Sequence, residues 1–502
     1  MKQRSVILER IDQQLVHQME FENNYWKNIL KRVVAVVKAL SSRGLSFRGD
    51  TNQIGCSNNV NFLMAIELIA EFDVVLSEHI KKYGNPGKGN TSYLSFHTYE
   101  QFILLMAEDV VNNIIQEVNK ARYFSISIDS TPEISHTDQL SFIIRYVNEH
   151  GQPVERFLCF INNIGHKSQE MMEAVIHIFK KYNLNTNYLR GQSYDNASNM
   201  SGIYTGLQAR IKSINSLADF VPCSAHSLNL VGKNAASCCH DANEFFRLLQ
   251  NLYSFSTITT RRWKILNVSL KSLSETRWSA RDDACKSLNK NWCLVLRALT
   301  TISEDKSVNV STCCEAKGIL KSIKTLKTSF MSIFWGDILE RFNSCSKKLQ
   351  SIQIDLGIVV EIYQSLIGFV HDIRCDDMFN DYKARAIEKC GISSLNTKPN
   401  RKKKRKRFFD EGNSEENVIE DEFENFKVNT YFMILDQIKS DLEKRKIAYD
   451  NLTSKYNFFY HMSELTPAEV KKNSDSLQNI YKNDLGSSFS IECVHFQSHI
   501  KV

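Results

Sequence analysis

Two acids sit where strands end. Asp129 closes the alternating run 123-YFSISID-129, and Asp195 closes 188-YLRGQSYD-195. A single Asp after a strand readily starts a turn, because its side chain accepts from the backbone two residues on. Two carboxylates brought side by side have another use: they can bridge divalent ions about 4 Å apart, the arrangement of two-metal phosphoryl transfer. Asn199, four residues past Asp195, would support such a site or simply cap the next helix. Cys223 and His226, in 222-PCSAHSLNL-230, share a helical face at i, i+3. They make half of a zinc set, but structural zinc takes about four ligands and no second pair stands at suitable spacing. They read as neighbours of an active site or as buried packing, and zinc is not expected.

Whether the two acids meet depends on the elements that carry them. From 121 three β-like runs follow one another, 123–129, 139–147 and 154–162, with 148-NEHGQP-153 as a hairpin turn. A helix over 168–182 leads to the fourth strand, and another follows at 198–212. The order β-β-β-α-β-α is a meander followed by a helical crossover, so the fourth strand runs parallel to a strand of the meander. If that strand is the first, Asp129 and Asp195 leave the sheet at one edge.

The surroundings read as helix. Before the sheet, helices are expected over 20–44, 60–84 and 98–120, with 84-GNPGKGNTSY-93 as a loop. After it they are expected over 224–236, 241–254, 261–272, 296–305, 311–350, 353–372 and 425–450. Six prolines in the whole chain leave these helices little interrupted. At 393–426 the composition breaks: the basic run Arg401, Lys402, Lys403, Lys404, Arg405, Lys406, Arg407 meets an acidic, apolar-poor tract, which reads as a disordered loop. The run reads as a nuclear localisation signal, a phosphate contact, or a solvated loop offset by its own acids.

Composition narrows the function classes. A net charge of +7 permits a polyanionic partner without demanding one. No apolar run approaches the roughly 20 residues that span a bilayer, and the charged N-terminus MKQRSVILERIDQQLVHQME is no secretory signal. Thirteen scattered cysteines suit reduced intracellular thiols, and the adjacent pairs Cys238-Cys239 and Cys313-Cys314 lack CxxC spacing.

Four motifs in order, SISIDST, SYDNASNMSG, PCSAHSLNL and 274-SETRWSAR-281, resemble the hAT superfamily of DNA transposases and their host-adopted relatives. Among these the similarity is strongest to zinc finger MYM-type protein 1-like and TTF-type zinc finger proteins. The segment 44–80 is similar to what precedes the catalytic core in that group. The resemblance implies a ribonuclease H-like core interrupted by a large helical insertion, cutting and joining DNA with three carboxylates and divalent metal. On it, Asp129 and Asp195 match the first two acids. Cys223 and His226 match the CxxH motif near the active site, and Arg277 and Trp278 match an RW motif whose Trp stacks on a flipped base. On the residues alone Trp278 reads first as a core aromatic capping the preceding helix.

The third acid of the family lies in a C-terminal segment resembling Ser-Glu-Arg-x-Phe-Ser, within the region that drives dimerisation. No match to it occurs here, and neither Glu275 nor Glu492 replaces it. The family's N-terminal zinc finger has no counterpart in residues 1–55. The sequence therefore predicts an α+β chain: helices at 1–120, a ribonuclease H-like core at 121–290, a helical insertion at 291–455 with a charged loop near 393–424, and an incomplete segment at 456–502. The expected function is a nuclear, transposase-derived protein that binds DNA without sequence specificity. Mg or Mn would sit weakly at Asp129 and Asp195, and transposition would be incomplete. The alternatives are a protein-binding module on the helical insertion, or a fragment of an active transposase. No membrane association is expected, and the family's dimerisation segment is missing.

Overall fold

The computed structural model describes residues 2–85, 92–132, 138–162, 165, 167–274, 278–395 and 422–500. The chain forms two compact units, Met1–Lys120 and Ala121–Val502.

The first unit is helical: α1 (Lys2–Ser42), α2 (Asn61–Ala70), α3 (Val74–Tyr83) and α4 (Phe96–Ala121). One stripe of α1, Ile29, Val33, Val36, Val37 and Leu40, packs with Phe62, Leu63, Ile66, Leu76 and Tyr99. The single helix expected over 60–84 is two. Asp73 breaks it, capping α3 through the Leu76 N–H at 3.0 Å while its other oxygen takes the Arg32 guanidinium. An Asp so placed satisfies an orphan helix donor better than it continues a helix.

The second unit is α+β and holds one mixed five-stranded sheet in the order β3-β2-β1-β4-β5. The strands are β1 (Phe124–Pro132), β2 (Asp138–Val147), β3 (Pro153–Asn162), β4 (Leu189–Tyr194) and β5 (Asp219–Pro222). β1 pairs antiparallel with β2 and β2 with β3, while β1–β4 and β4–β5 are parallel. The crossover from β3 to β4 runs through α5 (Ser168–Lys181). Its face of Met171, Met172, Val175, Ile178 and Phe179 covers the apolar side of the sheet. The Phe179 ring stands edge-on to Phe124 and Phe142 at 6.1 and 6.2 Å. Between β4 and β5 lie α6 (Ser198–Ser201) and α7 (Leu207–Ile214), where one helix was expected over 198–212.

Past β5 the chain is helical: α8 (Ser224–Ser237), α9 (His240–Thr257), α10 (Thr260–Leu266), α11 (Trp278–Lys290), α12 (Trp292–Glu304), α13 (Val310–Ile323), α14 (Leu326–Leu349), α15 (Leu356–Ile373) and α16 (Asp376–Cys390). After the undescribed residues come α17 (Glu422–Phe426), one π-helical turn at Lys427–Phe432, and α18 (Met433–Thr453). Side chains from Ala225 on α8 to Tyr449 on α18 share one core. At its centre runs α14, where every residue from Thr328 to Gly336 is buried. A helical stretch buried on all sides belongs inside a bundle. The single helix expected over 311–350 is α13 and α14, broken where the Thr325 hydroxyl caps α14 by accepting from Thr328 N–H at 3.2 Å.

α15 has the length and apolar composition that would let a helix cross a membrane. Here its Val359, Tyr363, Leu366 and Val370 lie in the shared core. The chain closes with α19 (Asn457–Tyr460), α20 (Pro467–Ile480) and α21 (Phe489–Ile500), where only a short tail was expected. They enclose a separate small core of Phe458, Met462, Val470, Leu477, Tyr481 and Cys493.

Candidate nucleic-acid and metal site

The alternation in SISID sorts β1 into two faces. Phe124, Ile126 and Ile128 are buried on the α5 side. Ser125, Ser127 and Asp129 point the other way. On β4 the residues beside them are Gly191 and Ser193, paired with Ser125 and Ser127. Asp129 and Asp195 each lie two residues beyond the Ser127–Ser193 pair, so the parallel register carries both acids out of the same sheet edge side by side. Small residues floor the face that leads to them: a methyl on Gly191 would sit 3.0 Å from Ser125 Cβ.

The electrostatics agree with the register. Asp129 lies at the exposed rim, yet partial desolvation, and next the Asp195 carboxylate, push its carboxyl above the ordinary range. The Ser130 backbone N–H and His226 pull the other way. Asp195 does serve a turn, accepting the Ala197 N–H through Oδ1 at 3.1 Å. Turn and site are therefore compatible for this residue, with Oδ2 carrying no part of the turn.

The third wall is α8. Cys223 precedes it, joined to the sheet by its N–H donating to the Tyr194 carbonyl at 3.0 Å. The Cys223 sulfur faces the His226 and Ala225 backbone N–H groups of the first turn. Burial, with the two carboxylates adding to it, raises the Cys223 pKa. That favours the thiol, the form that binds metal poorly. Four expected residues, Asp129, Asp195, Cys223 and His226, thus act on one another at one place. Among the described residues no group of three or more His, Cys, Asp or Glu is arranged to hold a metal ion. Two carboxylates fit part of the shell of one hard divalent ion and leave most of it to water or phosphate.

Helices far along the chain brace this wall. Tyr363 on α15 donates to the Ser224 carbonyl at 3.0 Å. Tyr449 on α18 donates to the Pro222 carbonyl at 3.1 Å, and its hydroxyl also meets Ser227 Oγ at 3.1 Å. Asn196, next to Asp195, donates to the same Ser227 Oγ at 2.9 Å. Burial pushes Tyr449 up to about 12, so it stays a donor. One turn before Tyr449, Arg445 has a buried Nε without a hydrogen-bond partner, and its charge acts on both tyrosines. Sequence reading found none of these braces, since no local pattern marks a tyrosine that reaches across a bundle.

Trp278 stands apart from the four. Its indole is 6 % exposed and packs with Phe246 and Trp335 at ring distances of 6.2 and 6.0 Å. It lies against Gly232 of α8, where an added Cβ would fall 2.4 Å from Cε2, and the Arg281 guanidinium lies 5.1 Å from the ring centre. The indole fills the core here, the reading that the residues alone favour. Arg277 and the basic run Arg401–Arg407 lie outside the described residues.

The comparisons point to an RNase-like domain in the first part of the chain. Residues 1–206 match the family model described as ZMYM1/FAM200, RNase-like domain (DUF4371), a span that includes Asp129 and Asp195 and stops before Cys223. The match supports a ribonuclease H-like core. The chain is also similar to the human 52 kDa repressor of the inhibitor of the protein kinase, 24% identical over 234 residues, 44% of this chain and 30% of the human protein. The mouse protein of the same name is 25% identical over 211 residues, 39% of this chain and 27% of its own length. The chain spans under a third of the length of these curated relatives.

Proposed function

We propose that this chain derives from a hAT-superfamily DNA transposase and acts as a nucleic-acid-binding protein without complete strand-transfer chemistry. The observation that carries the reading is the side-by-side exit of Asp129 and Asp195 from β1 and β4, with Asp195 acting on the Asp129 carboxyl. These two residues would hold one Mg²⁺ or Mn²⁺ ion, which supplies positive charge for a backbone phosphate. The protein's own part is to fix that edge: β1 and β4 set the acids, and Asn196, Ser227, Tyr363 and Tyr449 hold the α8 wall beside them. Among the described residues no third acid joins these two, which leaves the second ion of a two-metal site short of ligands, so binding outlasts cutting.

Fluorescence anisotropy of the full chain with unrelated single- and double-stranded DNA tests this. The expected result is sequence-tolerant binding that weakens steeply with salt, strengthened by Mg²⁺ in the parent and not in Asp129→Asn/Asp195→Asn. Absence of binding at low salt refutes the reading. Mn²⁺-dependent strand cleavage abolished by Asp129→Ala would replace it with an active nuclease. The nuclear placement rests on residues 401–407; their replacement by alanine is expected to leave a fluorescent fusion in the cytoplasm. The alternative of a protein-docking face on the helices has little to rest on: over residues 311–372 the exposed large hydrophobics are Ile352 and Ile358.

A further inference from the structure

The dipeptide Cys-Cys occurs twice in the chain, and the backbone treats the two copies differently. Cys313 and Cys314 are consecutive residues inside α13, where successive side chains diverge by about 100°. Cys313 Sγ lies 3.6 Å from the Ile302 and Asp305 carbonyls, facing away from its neighbour. Cys238 and Cys239 stand between α8 and α9 with φ, ψ of −68°, −25° and −139°, 162°. That αR-then-β sequence is a type VIII turn, which brings adjacent side chains to one side. The two thiols act on one another's protonation there.

The two thiols are also unequal. Cys239 is the N-cap of α9, an 18-residue helix, beside the Asp241 and Ala242 backbone N–H groups though without a side-chain capping bond to them. The Cys238 thiol first, and then these backbone donors, bring it down to about 7, against burial and the nearby Asp241 carboxylate. The Asp241 charge is itself occupied by Lys327 at 2.9 Å and the Thr430 hydroxyl at 2.7 Å. Cys238 is driven the other way and stays a thiol. Both are half-buried, so a small molecule can reach them, whereas Cys285, Cys345 and Cys493 are buried.

We propose that Cys238-Cys239 is a vicinal dithiol that reacts with hydroperoxides and closes to an eight-membered disulfide ring. The Cys239 thiolate attacks the terminal peroxide oxygen; an S–O bond forms, the O–O bond breaks, and the alcohol leaves with a proton. The Cys238 sulfur then attacks the resulting sulfenic acid. An S–S bond forms, the S–O bond breaks, and water leaves with the Cys238 proton. The two sulfurs lose two electrons and the peroxide gains them. A dithiol reductant reverses the change.

The test treats the reduced full chain with equimolar hydrogen peroxide, blocks remaining thiols with N-ethylmaleimide, and maps cysteine peptides by mass spectrometry. The expected result is a loss of about 2 Da, two hydrogens, on the peptide holding Cys238 and Cys239, in the parent and in C313S/C314S alike. Cys238→Ser leaves a sulfenic acid at Cys239 that dimedone traps, and Cys239→Ser slows oxidation roughly tenfold. Alkylation of Cys238 and Cys239 to the same extent as exposed Cys293 and Cys314 after peroxide overturns the proposal, as does a disulfide mapped to any other pair. The parent's own map decides even if a variant fails to fold.

Discussion

Replacing Asp129 with Asn should stabilise the protein. The parallel strands that carry Asp129 and Asp195 stand about 4.8 Å apart. Two full charges at about 5 Å repel by about 3 kcal/mol at an effective dielectric of about 20 and by about 0.8 kcal/mol in bulk water. Asp129 is at the exposed rim, so solvent screening places the gain toward the lower figure, about 1 kcal/mol. In a unit as long as Ala121–Val502 that corresponds to a rise in Tm of roughly 1–2 °C.

The pH dependence follows from the raised carboxyl pKa. A group protonated more readily when folded stabilises the fold at low pH, and that contribution is lost as pH rises from its unfolded value through its folded one. The advantage of the Asp129→Asn variant over the parent should therefore be absent below the ordinary carboxylate range and grow to its plateau by neutral pH. Differential scanning calorimetry in EDTA, repeated in an Asp195→Asn background, measures both points. Mn²⁺ at millimolar concentration should raise the parent's Tm and close the gap. A destabilised Asp129→Asn, a gap that does not change with pH, or one that persists undiminished without Asp195 refutes the reasoning.

Gly232→Ala drives a methyl to 2.4 Å from the Trp278 indole and should cost about 1–3 kcal/mol, seen as a lower Tm and altered tryptophan emission. Tyr449→Phe strips a hydrogen bond from the Pro222 carbonyl and should cost about 1–2 kcal/mol; DNA affinity should fall with it if the α8 wall matters. Lys389 is held down to about 8 by burial, over the Trp292 ring and donating to Ser332 Oγ. Because the unfolded lysine binds its proton more tightly, stability should rise as pH climbs from about 8 toward 10.5. Lys389→Met should abolish that rise in a calorimetric pH series.

The strands of the meander were legible as β-branched and aromatic runs, cleanly alternating in β1 though not in β3, and the helical crossover then required a parallel partner, which is β4 beside β1. β5 escaped: Asp219–Pro222 is four residues long, has no alternation and ends on proline. Helix breaks at Asp73 and Thr325 were missed because the apolar period runs through both, while a single capping side chain ends the helix. α20 was missed although Thr466, Pro467 and Glu469 form a capping box with proline at its start, a signal that sequence reading had available. At the site, the acids could be paired from strand order alone. Tyr363 and Tyr449 could not, since their partners Ser224 and Pro222 lie far back in the chain. Trp278 was assigned a role on solvent because a motif speaks for the residue and not for Gly232, Phe246 and Trp335, which enclose it.

The shared core that opens at Ala225 and closes at Tyr449 sets a schedule for biosynthesis. α14, buried on every side from Thr328 to Gly336 in the finished fold, leaves the ribosome long before α18 exists to cover its neighbours. At roughly 5–20 residues per second the α8 face that α18 covers waits about 10–45 s for its last partner. For about the second half of that interval the nascent chain displays the aromatic residues Phe330, Phe334 and Trp335, and whatever holds it then must let go before the tyrosine of α18 can reach the sheet edge.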